Sequence, residues 1–262
     1  MKKKNKMKFN SAVILCGGRG TRLGSLGKKI PKTLVKIHNK PIIWYIIKAL
    51  KKNSINHFIL PLGYKGNLIK KYINTNSEFK KLNIDFVETG LNTSISKRIF
   101  LIKDKIKSRN LTLLNGDAVF DFNLKKILDG HSQKNFDITF LGCSAPLSYG
   151  IVGVKNNKIV SFERELEFDS VKSHKRPNFS GHIFSGISVI KSNLILNNFK
   201  STFNFEREFY PKIIKRNNTN FEEINGFWFS IDNEKDIKNL NIKLNNSNYD
   251  KMKNIKKKLK IK

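Results

Sequence analysis

Short apolar runs and helix-period segments alternate along the first half of this chain, and that alternation limits the folds open to it. SAVILC (residues 11–16) is a compact apolar run ending at glycine, as a buried strand does where it opens into a loop. KPIIWYIIKALKK (40–52) places apolar residues on a helical face, with proline near its start. HFILPLG (57–63) reads as a second strand and NLIKKYI (67–73) as a helix. NIDFVETG (83–90) then reads as a strand, SKRIFLIKDKI (96–106) as a helix, and LTLLNGD (111–117) as a strand ending in an acid. LKKILDGH (124–131) is helical and DITFLGC (137–143) is again a strand. Such a succession predicts a mostly parallel sheet with helices on both faces.

The texture changes from about Tyr149. GIVGVKNNKIVSFE (150–163) holds two β-type runs around Asn-Asn, a hairpin pattern. HIFSGISVI (182–190) reads as a strand, NFEREFYPKII (204–214) as a helix, and FEEINGFWFSID (221–232) as a strand ending in a second acid. No repeat and no Gly/Ser/Pro-rich linker separates this part, so it is expected to extend the same sheet. A chain of 262 residues can bury one large core. The expected unit is 9–245, with basic, flexible ends at 1–8 and 246–262.

The formal charge is +31, from 51 Lys and Arg against 20 Asp and Glu. The lysines are dispersed and travel with Asn, Ile and Phe, a bias that AT-rich codons explain. Dense clusters occur only at the two ends, so no nucleic-acid partner is expected. No apolar run approaches the ~20 residues of a membrane span, and no membrane partner is expected. The opening MKKKNKMKFNSAVILCGG imitates a signal peptide, but its apolar run is too short. A cytoplasmic location is expected. Cys16 and Cys143 stand far apart without metal-type spacing, which argues against zinc or a disulfide.

The loop after the first run, GGRGTRL followed by PK, carries the chemistry. Gly17, Gly18 and Gly20 let backbone N–H groups converge on an anion, and Arg22 and Lys32 add positive charge. Two standard phosphate loops fail here. The dinucleotide fingerprint needs glycine where Leu23 stands, and a Walker A loop needs other residues at Arg22 and Lys29.

GGRGTRL…PK resembles the signature GGxGTRL…PKP of sugar-1-phosphate nucleotidyltransferases, with Thr33 at the second proline. KPIIWYII, INHFILPLGYKGNLIKKYI, FVETGLNT and GFWFSID are similar, in the same order, to segments of the glucose-1-phosphate cytidylyltransferase branch. The resemblance spans roughly Ala12 to Leu240. It implies an α/β, Rossmann-like three-layer sandwich with a mostly parallel mixed sheet, a single domain with a small β-hairpin extension. The implied reaction is attack of a sugar 1-phosphate on the α-phosphate of an NTP, releasing pyrophosphate with Mg2+.

By the same resemblance, Cys16, Gly17, Gly18, Gly20 and Thr21 would hold the nucleotide. Arg22 would neutralise the pyrophosphate and Lys32 the α-phosphate. Asp117, in NGDAVFD, and Asp232, in FWFSID, would hold the cation, Asp117 also serving catalysis. The competing reading for each acid is a helix N-cap, above all for Asp232 ahead of NEKDIKNL. Arg98 sits where the cytidylyltransferase pattern has an arginine near the nucleotide, although Ser96 and Lys97 replace two preceding glycines. CTP is the preferred donor on this basis, with UTP or GTP, or an inactive nucleotide-binding relative, as alternatives. Gly186 and Glu206 fall on the sugar-phosphate side, Glu206 being equally readable as an ordinary first-turn glutamate. The family's EKP lysine is replaced by Glu165, so Arg164, or Lys175 and Arg176, would have to supply that charge. The product would serve cell-surface polysaccharide or lipopolysaccharide synthesis. A homo-oligomer is left open.

Overall fold

The computed structural model describes residues 10–146, 151–163, 167–168, 170–173, 176–197, 199–216 and 218–245. The two basic ends, Arg164, Glu165 and Lys175 lie outside the described residues, and Arg176 is described as backbone only.

Strands β1 (Ser11–Leu15), β2 (His57–Leu62), β3 (Asn83–Glu88) and β4 (Asn110–Asn115) lie parallel in the order β3-β2-β1-β4. β5 (Ala118–Asp121) leaves this sheet, and β6 (Ile138–Cys143) rejoins it. β7 (Ile151–Lys155) and β8 (Lys158–Glu163) form the hairpin, turning at Asn156 and Asn157, both with positive φ. The long β9 (Arg176–Lys191) runs antiparallel between β4 and β6. β10 (Thr219–Glu223) closes the far edge, parallel to β6. β11 (Phe227–Ser230) pairs with β5, away from the main sheet. The full order is β10-β6-β9-β4-β1-β2-β3, with Ser170–Ser173 paired to β9 off this path. The expected mostly parallel mixed sheet is therefore present, and its C-terminal strands do extend it.

The helices are α1 (Gly24–Lys29), α2 (Ile42–Lys52), α3 (Gly66–Thr75), α4 (Ile95–Leu101), α5 (Leu124–Gln133), α6 (Ser192–Leu196), α7 (Tyr210–Arg216) and α8 (Glu234–Asn245). Alternation along β1 decides which of them cover which face. Ala12 and Ile14 point into a core with Trp44 and Ile46 of α2, Ile69 of α3, Leu124 of α5 and Leu240 of α8. Val13 points to the opposite core, with Ile99 of α4, Ile195 of α6 and Ile213 of α7. A one-residue slip of β1 would exchange the two sets, and since both faces are apolar it is the packing fit of Ala12, Val13 and Ile14, not polarity, that opposes the slip. Each such buried Val, Leu or Ile side chain stabilises the fold by about 1.5–3 kcal/mol relative to its exposure.

Three elements differ from the sequence expectation. The run 221–232 is two strands in two sheets, parted at Gly226, where a Cβ would overlap the Asp121 carbonyl oxygen. The helix expected over 96–106 ends at Leu101 and continues as a 3-10 turn, Lys103–Lys105. The helix expected over 204–214 opens as a π turn, Phe205–Phe209, before α7. Pro211 accounts for that turn: its ring cannot pack against the carbonyl four residues back, and wider i→i+5 bonding makes room. The Tyr210 N–H accordingly donates to Phe205 O.

His131, buried at the end of α5, bonds Thr139 of β6 through Nδ1 at 2.9 Å. Burial pushes its imidazole down from 6.5 to about 4, Lys191 and Arg109 adding to the effect and Asp137 opposing it. The depressed value means that this contribution to stability is complete above pH 6.5 and is lost as pH falls toward 4. The full loss is roughly 3 kcal/mol. His131→Gln should flatten the acid limb of the stability–pH curve in that window, read from urea midpoints. An unchanged slope would show that His131 does not drive acid loss.

Candidate active site

The carboxyl ends of β1, β2, β3 and β4 lie along one edge of the sheet, where open α/β folds bind ligands. Their exits are tied together. Gly116 N–H donates to Leu15 O at 3.2 Å, and Thr89 N–H to Leu62 O at 2.9 Å. A cleft of about 360 Å3 opens here, floored by the loop 16–20 and walled by 91–95 and 115–117.

Gly20 begins the 3-10 turn Thr21–Leu23 in the left-handed region, φ 62°, which any side chain strains. Among the described residues, the N–H groups of Gly18, Arg19 and Gly20 donate to no protein acceptor. Three adjacent donors without protein acceptors line this cleft floor, a backbone pattern of the kind that can form an anion nest. Cys16 lies beneath it with its thiol raised far above the usual range by burial. It is no nucleophile at neutral pH.

Lys32, Asp117, Asp232 and Arg22 converge beside the nest. Lys32 Nζ lies 3.0 Å from Asp117 Oδ2 and 3.1 Å from Asp232 Oδ1, bridging separations of 85 and 200 residues. Arg22 Nη1 lies 3.1 Å from Asp232 Oδ1. The β5–β11 pair makes this meeting possible: Ala118 lies opposite Ser230, and Ile231 N–H donates to Asp117 O at 2.9 Å. The two acids thus stand at matching ends of one two-stranded ribbon. Asp232 is not the N-cap of α8. Asn233 takes that place, its Oδ1 accepting from Asp236 N–H while Asp236 Oδ2 accepts from the N–H groups of Asp232 and Asn233. That capping box leaves the Asp232 carboxylate to face Lys32 and Arg22.

Arg98 lines the cleft, yet its guanidinium is turned into the protein. Nε donates to Thr93 O, Nη1 to Leu62 O and Thr89 Oγ1, and Nη2 to Gly17 O and Leu91 O. All five donors of an arginine are thereby used. A Cβ on Gly17 would overlap the guanidinium carbon, so glycine there admits the arginine. Burial lowers the Arg98 pKa, without bringing so basic a group near neutrality.

The sugar side is less assembled. Gly186, φ 75°, lies against Asn115, which lines the cleft; a Cβ there would meet Asn115 Nδ2 at 2.7 Å. Trp228 Nε1–H donates to the neighbouring Ser185 O at 3.1 Å. Glu206 is exposed on the π turn and is not among the cleft-lining residues. Thr21 is exposed at the start of the 3-10 turn. The sequence reading missed Arg19 and Asn92, which join across the cleft mouth at 3.0 Å. Both lie inside GGRGTRL and TGLNT, so membership of those motifs was the available signal.

Residues 11–165 match the Nucleotidyl transferase family, and the chain belongs to it. It is 30% identical to a "Probable glucose-1-phosphate cytidylyltransferase" of Bacillus subtilis, across 88% of this chain and 94% of that one. It is 28% identical to a D-glycero-alpha-D-manno-heptose 1-phosphate guanylyltransferase of Aneurinibacillus thermoaerophilus, across 77% of this chain and 84% of that one. In fold it is similar to HddC from Yersinia pseudotuberculosis, TM-score 0.67 at 22% identity, covering 90% of this chain and 99% of that one. The family suspected from the loop motif is the one to which the chain belongs.

Proposed function

We propose that the protein transfers a nucleotidyl group from an NTP to a sugar 1-phosphate, releasing pyrophosphate. The observation that carries this reading is the convergence of Arg22, Lys32, Asp117 and Asp232 beside three unpaired loop N–H groups. Phosphoryl and nucleotidyl transfers depend on positioning and charge neutralisation more than on acid–base groups. The nest at Gly18–Gly20 receives the triphosphate, Arg22 faces the leaving pyrophosphate, and Lys32 meets the α-phosphate. A sugar-phosphate oxygen attacks that phosphorus as the bond to pyrophosphate breaks.

Asp117 and Asp232 would hold Mg2+. Among the described residues, no group of three or more His, Cys, Asp or Glu side chains forms a metal cage. Two carboxylates suit an ion that takes its other ligands from phosphate and water. When bound, the ion supplies neutralisation of phosphate charge.

CTP is the donor we favour, supported by the cytidylyltransferase relative that matches most of both chains. GTP is the second reading, supported by the heptose and mannose guanylyltransferase relatives. With all five Arg98 donors bonded to protein, base choice would fall to the walls that Arg98 braces. The product would feed cell-surface polysaccharide assembly, and the enzyme would work as a soluble cytoplasmic protein; no described helix is long and apolar enough to cross a membrane. Pyrophosphate release with each of CTP, UTP, GTP and ATP, given glucose 1-phosphate, mannose 1-phosphate or a heptose 1-phosphate and Mg2+, tests this. CTP should lead, and release should stop with EDTA. No release with any pair would overturn the reading.

A further inference from the structure

Two acids and two bases make up the cluster beside the nest, so its formal charges cancel. At its centre the Lys32 ammonium touches both carboxylates, at 3.0 and 3.1 Å. Among the described residues only Lys32 reaches both; Arg22 touches Asp232 alone. The Lys32 side chain is 15% exposed, against 73% for Arg22, so water screens the central lysine less.

We infer that Lys32 is the resting counter-ion of the cation site: its ammonium and a free divalent ion compete for the same two carboxylates, and nucleotide relieves the competition. The inference rests on the proposed nucleotidyl transfer. A bare dication approaching Asp117 and Asp232 meets the ammonium and is repelled. A triphosphate in the nest offers Lys32 a second anion, and the lysine can turn to it without backbone movement. Its Cα is held between Pro31 and buried Thr33, at the start of the 3-10 turn Lys32–Leu34, leaving the flexible side chain to swing. The site is thereby tuned to the metal–nucleotide complex in preference to the metal alone. The coupling is reciprocal: whatever factor nucleotide adds to ion affinity, the ion adds to nucleotide affinity.

Lys32 thus has a role separable from catalysis, with an effect opposite in sign to its catalytic loss. Mn2+ binding, read from the EPR signal of the free ion, is measured on wild type alone, on wild type with α,β-methylene-CTP or α,β-methylene-GTP, and on Lys32→Met alone. Lys32→Met should bind Mn2+ without nucleotide at least tenfold more tightly than wild type, while losing transfer activity. Either analogue should raise wild-type affinity by a comparable factor, beyond its own Mn2+ binding in a protein-free control. Lys32→Arg, which keeps the charge, should stay as weak as wild type, and Lys32→Gln serves if the methionine variant does not fold. A folded Lys32→Met no tighter than wild type overturns the inference, as does an equal gain in Lys32→Arg. If wild type takes up no Mn2+ with either analogue, nor with the α,β-methylene analogues of UTP and ATP, the nucleotidyl-transfer reading itself falls. If it does so while Lys32→Met shows no gain, the inference alone falls.

Discussion

Asp117→Asn is expected to lower kcat for nucleotidyl transfer by about a thousandfold, with KM for the sugar phosphate little changed. The amide keeps the shape of the side chain but removes the charge, and with it half of the protein's carboxylate supply to the cation. Stability should hardly move. Asp117 pairs with Lys32 at a partly exposed site, and such pairs contribute about 1 kcal/mol or less. The measurement is steady-state pyrophosphate release at saturating Mg2+, alongside a thermal melt of the same preparation. A variant that keeps near wild-type kcat would remove Asp117 from the cation site, and with it the ribbon as the element that assembles the chemistry.

Arg98→Ala should do the reverse, striking stability first. The substitution leaves a cavity beneath Gly17 and strips hydrogen bonds from five acceptors, on the loop, the end of β2 and the 89–93 segment. Losing a buried charged donor that satisfies so many acceptors costs about 3–5 kcal/mol. For a chain of this size that corresponds to a fall in Tm of roughly 10 °C. Arg98→Lys, with at most three donors on a flexible stem, should recover only part of this. NTP KM should rise for CTP and GTP alike, because the brace holds the nest and the wall together whatever base is bound. A variant that melts like wild type but loses discrimination between CTP and GTP would show that Arg98 reads the base.

Arg98 shows how far residue order can carry such a reading. TGLNT and the arginine after it are recognisable as a motif, and the motif places Arg98 beside the nucleotide. Side-chain direction is a separate matter, set here by Gly17 and Gly63, whose missing Cβ atoms leave room for the guanidinium between strand ends. Asp232 is the complementary case. A residue just before a helix reads naturally as a cap, but Asn233 and Asp236 close that helix end between themselves. The run 221–232 looked continuous because both its halves are β-type. Leaving one sheet for another requires only a short break, and the need for it lies in β5, a hundred residues earlier in the chain.

By itself the order of amino acids determined the layers, the strand-to-loop exit that forms the nest, and the family, because each rests on neighbours along the chain: periodicity, glycine spacing, a compact motif. The family resemblance set Asp117 and Asp232 on one cation, but only the tertiary structure decided which contacts hold them there, Lys32 between both carboxylates and Arg22 on Asp232. Lys32, Asp117 and Asp232 come together through strand pairing and loop closure between distant segments, and no local pattern records the partner that pairing will select.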